Sequence, residues 1–127
     1  MTTTILVLIG GAVGTGCRYG LSVLIYSILD RHRFAWANFL INLSGSFVIG
    51  VLAEIFTARP MILSHSIQTA LLVGVLGGYT TFSSFSLETL GYLQQGRWDK
   101  AVIYSGGSVL LGLLAVWLGV RLGHSLN

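Results

Sequence analysis

The residues with the most informative chemistry lie in one run, Gly77 to Ser86, where two glycines precede hydroxyl and aromatic side chains. Paired glycines and β-branched residues form a poor helix, so the helical backbone is expected to break here. A break frees backbone carbonyl groups, which are hard oxygen ligands suited to a small cation such as sodium. Phe82 and Phe85 would then lie close together, and the positive edges of their rings could line the path of an anion. In an unbroken membrane helix the same rings would only pack against lipid or protein.

Two further sets of polar residues recur at helical spacing and could form a polar track. Residues four positions apart lie on one face of a helix. The first set precedes the glycine-containing run and the second follows it: Asn38, Asn42 and Ser46, then Tyr104 and Ser108 with Ser105 beside them. An asparagine amide offers two N–H donors to an anion, or it forms hydrogen bonds between helices. The sequence leaves both interpretations open.

Three charged residues lie within otherwise apolar segments. A charge at the centre of a bilayer costs about 2.5–3.5 kcal/mol, so each charge there needs a reason. Arg18 and Glu88 could pair with each other as structural contacts, or they could line aqueous vestibules. Glu54 falls near the end of its segment, where water solvates it, and we assign it no function.

The elements that must position these residues are membrane-spanning helices. Of the 127 residues, 54% are hydrophobic and only 9% are charged, and the mean hydropathy is +0.81. A bilayer core needs about 20 helical residues. Four apolar segments reach this length, at about 5–29, 36–56, 66–93 and 98–122, and the loops between them are too short for a soluble domain. The prediction is therefore a single-domain, all-α integral membrane protein with a break in its third helix.

The basic residues indicate which partners and orientations are expected. The net charge is only +3 and the basic residues are scattered, which argues against a nucleic-acid partner. Four Lys or Arg residues flank the spans on one side and two on the other: Arg31, Arg33, Arg97 and Lys100, then Arg59 and Arg121. Such a shallow bias lets a chain insert in both directions, so an antiparallel homodimer is possible. The single cysteine, Cys17, excludes an internal disulfide and is expected to be a small packing residue.

The run at 77–86, continuing to Glu88 and Thr89, closely resembles the signature of the Fluc/CrcB family of fluoride channels. Residues 11–19, 42–50 and 104–108 carry supporting matches, so the resemblance covers nearly the whole chain. It implies a fluoride-selective passive channel in the bacterial inner membrane that exports cytoplasmic fluoride. It also implies an antiparallel, dual-topology homodimer, surrounded by lipid, with two pores at the subunit interface.

The resemblance also implies roles for individual residues. It assigns the fluoride pore to side chains of the second, third and fourth spans: Phe82, Phe85, Asn42, Asn38, Tyr104, Ser108, Ser84 and Thr81. The backbone carbonyls of Gly77 and Thr80 match those that hold a central sodium ion, which is structural and is not transported. Arg18 and Glu88 match charged residues of the family, with vestibule or structural roles. Gly112 stands where relatives can carry a further hydroxyl, which leaves the length of the polar track open.

Three other functions compete with a channel. A small proton-coupled drug exporter also has four spans, but it relies on a glutamate in the first span, where this chain has Arg18. A membrane enzyme is disfavoured because His32, His65 and His124 fall in loops or at the end of the chain, without a metal-spaced cluster or a nucleophile–base pair. An accessory membrane subunit would leave the polar stripes unexplained.

Overall fold

The computed structural model describes residues 1–30 and 33–127, so Arg31 and His32 lie outside the described residues. All regular structure in these ranges is helical, which confirms the predicted all-α class. The elements are α1 (Thr2–Ile28), α2 (Trp36–Ala58), α3 (His65–Thr69), a π-helical turn (Ala70–Val75), α4 (Leu76–Tyr79), α5 (Phe82–Gln94) and α6 (Trp98–Ser125).

Four of the helical stretches are long and apolar enough to cross a membrane: Thr2–Ile28, Trp36–Ala58, His65–Gln94 and Trp98–Ser125. Their bounds differ from the predicted spans by at most three residues. The third stretch is assembled from α3, the π-helical turn, α4 and α5. The chain is therefore a multi-pass membrane protein.

Close backbone contacts through glycine hold the third stretch against α1. A Cβ atom added at Gly14 would lie 2.0 Å from the carbonyl oxygen of Val75, and one at Gly78 would lie 2.5 Å from that of Gly11. Glycine is required at both positions because any side chain would collide with backbone, which cannot move aside cheaply. Small residues let helix backbones approach in this way inside a membrane. The contact fixes the height of the π-helical turn and α4 along α1.

The helices α2 and α6 form the other tight pair. A Cβ atom at Gly50 would lie 2.4 Å from the carbonyl oxygen of Val116, and one at Gly119 would lie 2.2 Å from that of Phe47. These backbone contacts fix the height of α2 against α6, and with it the relative height of the two polar stripes.

An aromatic core closes one end of the bundle. Its four buried residues are Ala35, Tyr92, Ala101 and Tyr104. Four partly buried residues pack around them: Phe34, Phe39, Phe85 and Leu93. The backbone N–H of Ala35 donates a 2.7 Å hydrogen bond to the Tyr92 hydroxyl, which ties the segment before α2 to the end of α5. Beyond Tyr92, Gly96 adopts a φ of 69° and turns the chain into α6. This core is the fixed base from which the site residues project.

Candidate functional site

The site is centred on an interruption between α4 and α5. Thr80 (φ −87°, ψ 161°) and Thr81 (φ −152°, ψ 121°) are both extended. The side chain of Asn42 replaces the missing helical hydrogen bonds. Its Oδ1 accepts from the Thr81 backbone N–H at 2.8 Å, and its Nδ2 donates to the Thr81 carbonyl at 3.0 Å. One of the two amide N–H donors that the sequence offered to an anion is therefore engaged with the backbone.

The interruption redirects the amides that would otherwise bind two carbonyl groups. In a continuous helix the Gly77 carbonyl would accept from Thr81, but this N–H donates to Asn42. The Thr80 carbonyl would accept from Ser84, whose N–H instead donates to the Thr81 hydroxyl at 3.2 Å. Both carbonyls that the family resemblance assigns to sodium thus lack their helical donors. A carbonyl oxygen without a donor is a suitable ligand for a hard cation, so these residues fit the ion.

The hydroxyl groups at the start of α5 are bonded to one another. The Thr81 hydroxyl accepts from Ser84 N–H as the cap of the helix and lies 3.2 Å from Ser84 Oγ and 3.3 Å from Ser83 Oγ. Thr81 is only 9% exposed, whereas Ser84 is partly exposed. The Thr81 side chain therefore acts as the N-cap of α5.

The two phenylalanines predicted to meet an anion are neighbours on α5. Their ring centroids are 5.5 Å apart and the ring planes are inclined by 37°. Phe85 also contacts Tyr104, with centroids 5.5 Å apart, whereas Phe82 is 79% exposed. One ring is thus held by the aromatic core, and the other stands free on the surface of this chain.

Glu88 joins three helices through hydrogen bonds. Asn38 on α2 donates to its Oε1 at 2.7 Å, and the Tyr104 hydroxyl on α6 donates to its Oε2 at 2.5 Å. Tyr104 is fully buried. For Asn38, the structure therefore shows the interhelical hydrogen bond that the sequence left as an alternative to anion binding.

The possible pair between Arg18 and Glu88 does not form. Within the described residues the ion pairs are Arg33 with Asp30 and Glu54 with His124. Arg18 is partly exposed and has no partner among the residues that the structure describes. Asn38 of α2 and Tyr104 of α6 are the partners of the Glu88 carboxyl group instead of Arg18.

Ser108 is the polar residue whose chemistry is left open. Its Oγ is buried and, within residues 1–30 and 33–127, has no hydrogen-bond partner. A buried hydroxyl without a partner costs about 1–3 kcal/mol, so Ser108 has a hydrogen-bonding group to offer in this region. One turn further along α6, a Cβ atom at Gly112 would lie 3.7 Å from Ser46 Oγ. The hydroxyl of Ser46 on α2 thus lies beside Gly112, the position of α6 that carries no hydroxyl.

A cavity of about 360 Å³ collects most of these groups at the surface of the chain. Its lining includes predicted pore residues and both predicted sodium residues: Asn42, Thr81, Phe82, Phe85, Ser108, Gly77 and Thr80. Asn38, Tyr104 and Glu88 form the adjacent hydrogen-bonded network and do not line it. Arg18 lies outside both groups. Within the described residues, the arrangement offers small ions an aromatic pair, a hydroxyl without a partner and two carbonyl groups without their helical donors.

Three hydroxyl groups that support this site were given no role from the sequence: those of Thr15, Ser44 and Tyr79. Thr15 donates to the Gly78 carbonyl at 3.4 Å, and Ser44 shares a 2.9 Å hydrogen bond with Tyr79. The signal for Thr15 was its position among the small residues of α1, where a helix can approach α4 closely. No periodic signal pointed to Ser44, because it lies on the face of α2 away from the asparagine stripe.

Comparison with known proteins places the chain in a family. Residues 5–120 match the family described as "CrcB-like protein, Camphor Resistance (CrcB)". A protein of Magnetococcus marinus named "Fluoride-specific ion channel FluC" is 45% identical over 118 residues, covering 93% of this chain and 94% of that protein. A Thermus thermophilus protein of the same name is 44% identical, covering 99% and 98%. An Aeromonas salmonicida protein, again of that name, is 39% identical, covering 96% of each.

The names of these relatives describe ion channels, which are not enzymes, in agreement with the prediction from the sequence. The family match includes the run at 77–86. Since the family match spans most of the chain and the relatives align over nearly their full length, the chain belongs to the CrcB family.

Proposed function

We propose that this chain is a fluoride-selective passive ion channel that exports fluoride from the cell. The names of its relatives support the ion, and the cavity beside Phe82 supports the site. The observation that carries the proposal is the lining of this cavity, which combines the paired rings of Phe82 and Phe85 with the buried hydroxyl of Ser108, which has no partner in the described residues. These groups attract an anion without presenting a fixed positive charge that would trap it.

The chemistry of the lining suits a small, strongly hydrated anion. Four groups replace the water that fluoride loses when it enters: the ring edges of Phe82 and Phe85, the Ser108 hydroxyl and the second amide N–H of Asn42. A narrow passage then rejects chloride by size. No nucleotide or proton coupling is required, because an inside-negative potential expels an anion with about 2.3 kcal/mol per charge per 100 mV.

The proposed assembly is an antiparallel homodimer in the bacterial inner membrane, with two pores at its interface. The 79% exposure of Phe82 supports a second copy, because this chain forms only one wall of the cavity and leaves the other side open. The shallow distribution of Lys and Arg residues supports insertion in both directions. Crosslinking of cysteines engineered into a Cys17→Ser background tests the antiparallel arrangement.

The proposed sodium ion is structural and is held by the backbone carbonyls of Gly77 and Thr80. Their missing helical donors support this role, and two copies would supply four such oxygens. In this proposal the third helix is broken at mid-membrane. A bound cation would neutralise the carbonyl dipoles and so stabilise the dimer. Thermal unfolding of the purified dimer in sodium and in potassium salts measures this contribution, and equal midpoints would contradict it.

Fluoride efflux from liposomes tests the function directly. Vesicles containing the protein and potassium fluoride receive valinomycin, and a fluoride electrode follows the release, with a matched chloride experiment. We expect rapid fluoride release with little chloride release. Phe82→Ile and Phe85→Ile should each abolish most of the release while leaving the helix content unchanged. Leu87→Ile, on the exposed side of the same helix, is the matched control.

The outcomes separate the competing functions. No fluoride release from a folded dimer in sodium would refute the channel and favour an accessory subunit. Release that requires an imposed pH gradient would favour a proton-coupled exporter. Full release from both Phe82→Ile and Phe85→Ile would retain the channel but refute the role of the ring edges.

A further inference from the structure

A second, apolar groove runs along another side of α2. Two adjoining cavities of about 930 Å³ and 650 Å³ are both walled by α1, α2 and α6, and they share Leu111. Leu40, Leu43 and Phe47 of α2 face this groove, whereas Asn42 faces the candidate pore. At 3.6 residues per turn, these three residues lie about 100–160° around α2 from Asn42, so the groove is on a different face of the helix from the candidate pore. We call the combined cavity the outer groove.

The length of the outer groove matches one leaflet of a bilayer. Along α2 it extends from Trp36 to Phe47. At 1.5 Å per residue this is about 16 Å, close to half of the roughly 30 Å hydrocarbon core. The deeper part is lined almost entirely by aliphatic and aromatic side chains, and Ser44, its one hydroxyl, is engaged with Ile41 and Tyr79. Such a groove has the dimensions and polarity of an acyl-chain site.

The shallow end of the outer groove carries charge. Arg33 and Asp30 line it, with Arg33 Nε 3.7 Å from Asp30 Oδ2 and the Arg33 side chain 84% exposed. The Lys100 ammonium donates to the Arg33 carbonyl, so a second cation lies at the same place. Trp36 stands at the boundary, where amphipathic rings suit the membrane interface.

We propose that the outer groove binds one acyl chain of an anionic phospholipid, whose phosphate is held by Arg33 and Lys100. The loose contact to Asp30 leaves most of the guanidinium donors available, and guanidinium groups bind phosphate with two parallel hydrogen bonds. Residues 30–33 and 97–100, at this end of the spans, carry four Lys or Arg residues against Asp30 and Asp99, so their net charge is +2. An anionic headgroup is favoured over a zwitterionic one for this reason. The proposal does not depend on fluoride transport.

Quenching of Trp36 fluorescence by brominated lipids tests this site. The full chain with Trp98→Phe and Trp117→Phe retains Trp36 as its only indole. It is reconstituted with phosphatidylglycerol or phosphatidylcholine carrying bromine on the acyl chains. We expect half-maximal quenching at a several-fold lower mole fraction of phosphatidylglycerol. Arg33→Gln and Lys100→Gln should each reduce this preference by about fivefold, the effect of roughly one basic residue near a surface.

Two controls distinguish a specific site from a general attraction of anionic lipid. Arg121→Gln removes a cation from the other end of α6 and should leave the preference unchanged. Leu111→Trp in the same background, with Trp36→Phe, places the only indole where the two cavities meet and should be quenched by the same lipid. Equal quenching by both lipids, or an unchanged preference in Arg33→Gln and Lys100→Gln, would overturn the proposal. Quenching by neither lipid would show that protein, such as a second copy, covers the outer groove, and would also overturn it.

Discussion

Asn42 gives the sharpest test of how this chain maintains its interrupted helix. Its amide makes two hydrogen bonds to the backbone of Thr81, at 2.8 and 3.0 Å, and Thr81 is only 9% exposed. Asn42→Leu keeps the branched shape and the number of heavy atoms of the side chain but removes both partners. Each buried backbone group left unsatisfied costs about 1–3 kcal/mol, so the expected loss of stability is about 2–6 kcal/mol.

The measurement is unfolding in mixed micelles of increasing dodecyl sulfate content, followed by circular dichroism and paired with fluoride efflux from liposomes. Ser46→Ala is the matched control, because Ser46 lies one turn along the same face of α2 and has no hydrogen bond within the described residues. Its free energy of unfolding should stay within about 0.5 kcal/mol of that of the parent, as for most substitutions that break no buried contact. We expect Asn42→Leu to lose both stability and fluoride efflux.

The two readouts separate the two roles of the amide. Parent-like stability in Asn42→Leu would refute the claim that the side chain supports the interruption. Parent-like stability combined with lost efflux would assign Asn42 to the permeating ion instead. Equal destabilisation in Ser46→Ala would show that the assay reports general packing of α2 rather than the two hydrogen bonds.

Three further predictions concern the surroundings of the site. Gly14→Ala places a methyl group 2.0 Å from the Val75 carbonyl oxygen, so it should lower the free energy of unfolding by about 1–3 kcal/mol or more in the same micelle assay. The control is Gly16→Ala, which meets no atom within 4 Å and should leave the stability unchanged. Tyr104→Phe removes a 2.5 Å hydrogen bond to a carboxyl group and should cost about 1.5–3 kcal/mol, measured by the same unfolding titration. Ser108→Ala removes a hydroxyl that has no partner in the described residues, so it should slow fluoride efflux without lowering stability; a large loss of stability would show that another protein group binds it.

The four long helices could be predicted from the sequence because membrane spans are encoded by composition and length alone. The interruption illustrates where this reasoning loses precision. The sequence placed the weakness within the run 77–86 without saying at which residue; Gly77 and Gly78 remain in α4, and the extended residues are Thr80 and Thr81. Gly78 is used for close contact with α1, where a Cβ would lie 2.5 Å from the Gly11 carbonyl oxygen. Packing against a neighbouring helix, rather than intrinsic propensity, decides which residue leaves the helix.

The partners of the polar side chains could not be read from spacing. The periodicity of Asn38 and Asn42 showed that they share a face, but not that one binds a carboxyl group and the other a backbone. Arg18 and Glu88 looked complementary in charge, yet Glu88 is satisfied by Asn38 and Tyr104 instead. Such choices depend on the rotation and height of each helix, which the glycine contacts between backbones set.

The hydrogen bonds around Thr81 couple the two halves of the proposed site. Because Asn42 takes the Thr81 N–H, the Gly77 carbonyl loses its helical donor, and because the Thr81 hydroxyl takes the Ser84 N–H, the Thr80 carbonyl loses its own. The same cap starts α5 at Phe82 and so determines where the Phe82 and Phe85 rings stand. Two side-chain interactions therefore free the carbonyls proposed for sodium and orient the rings proposed for fluoride. A change at Asn42 should weaken both properties together, and the sodium dependence of stability should fall along with fluoride efflux.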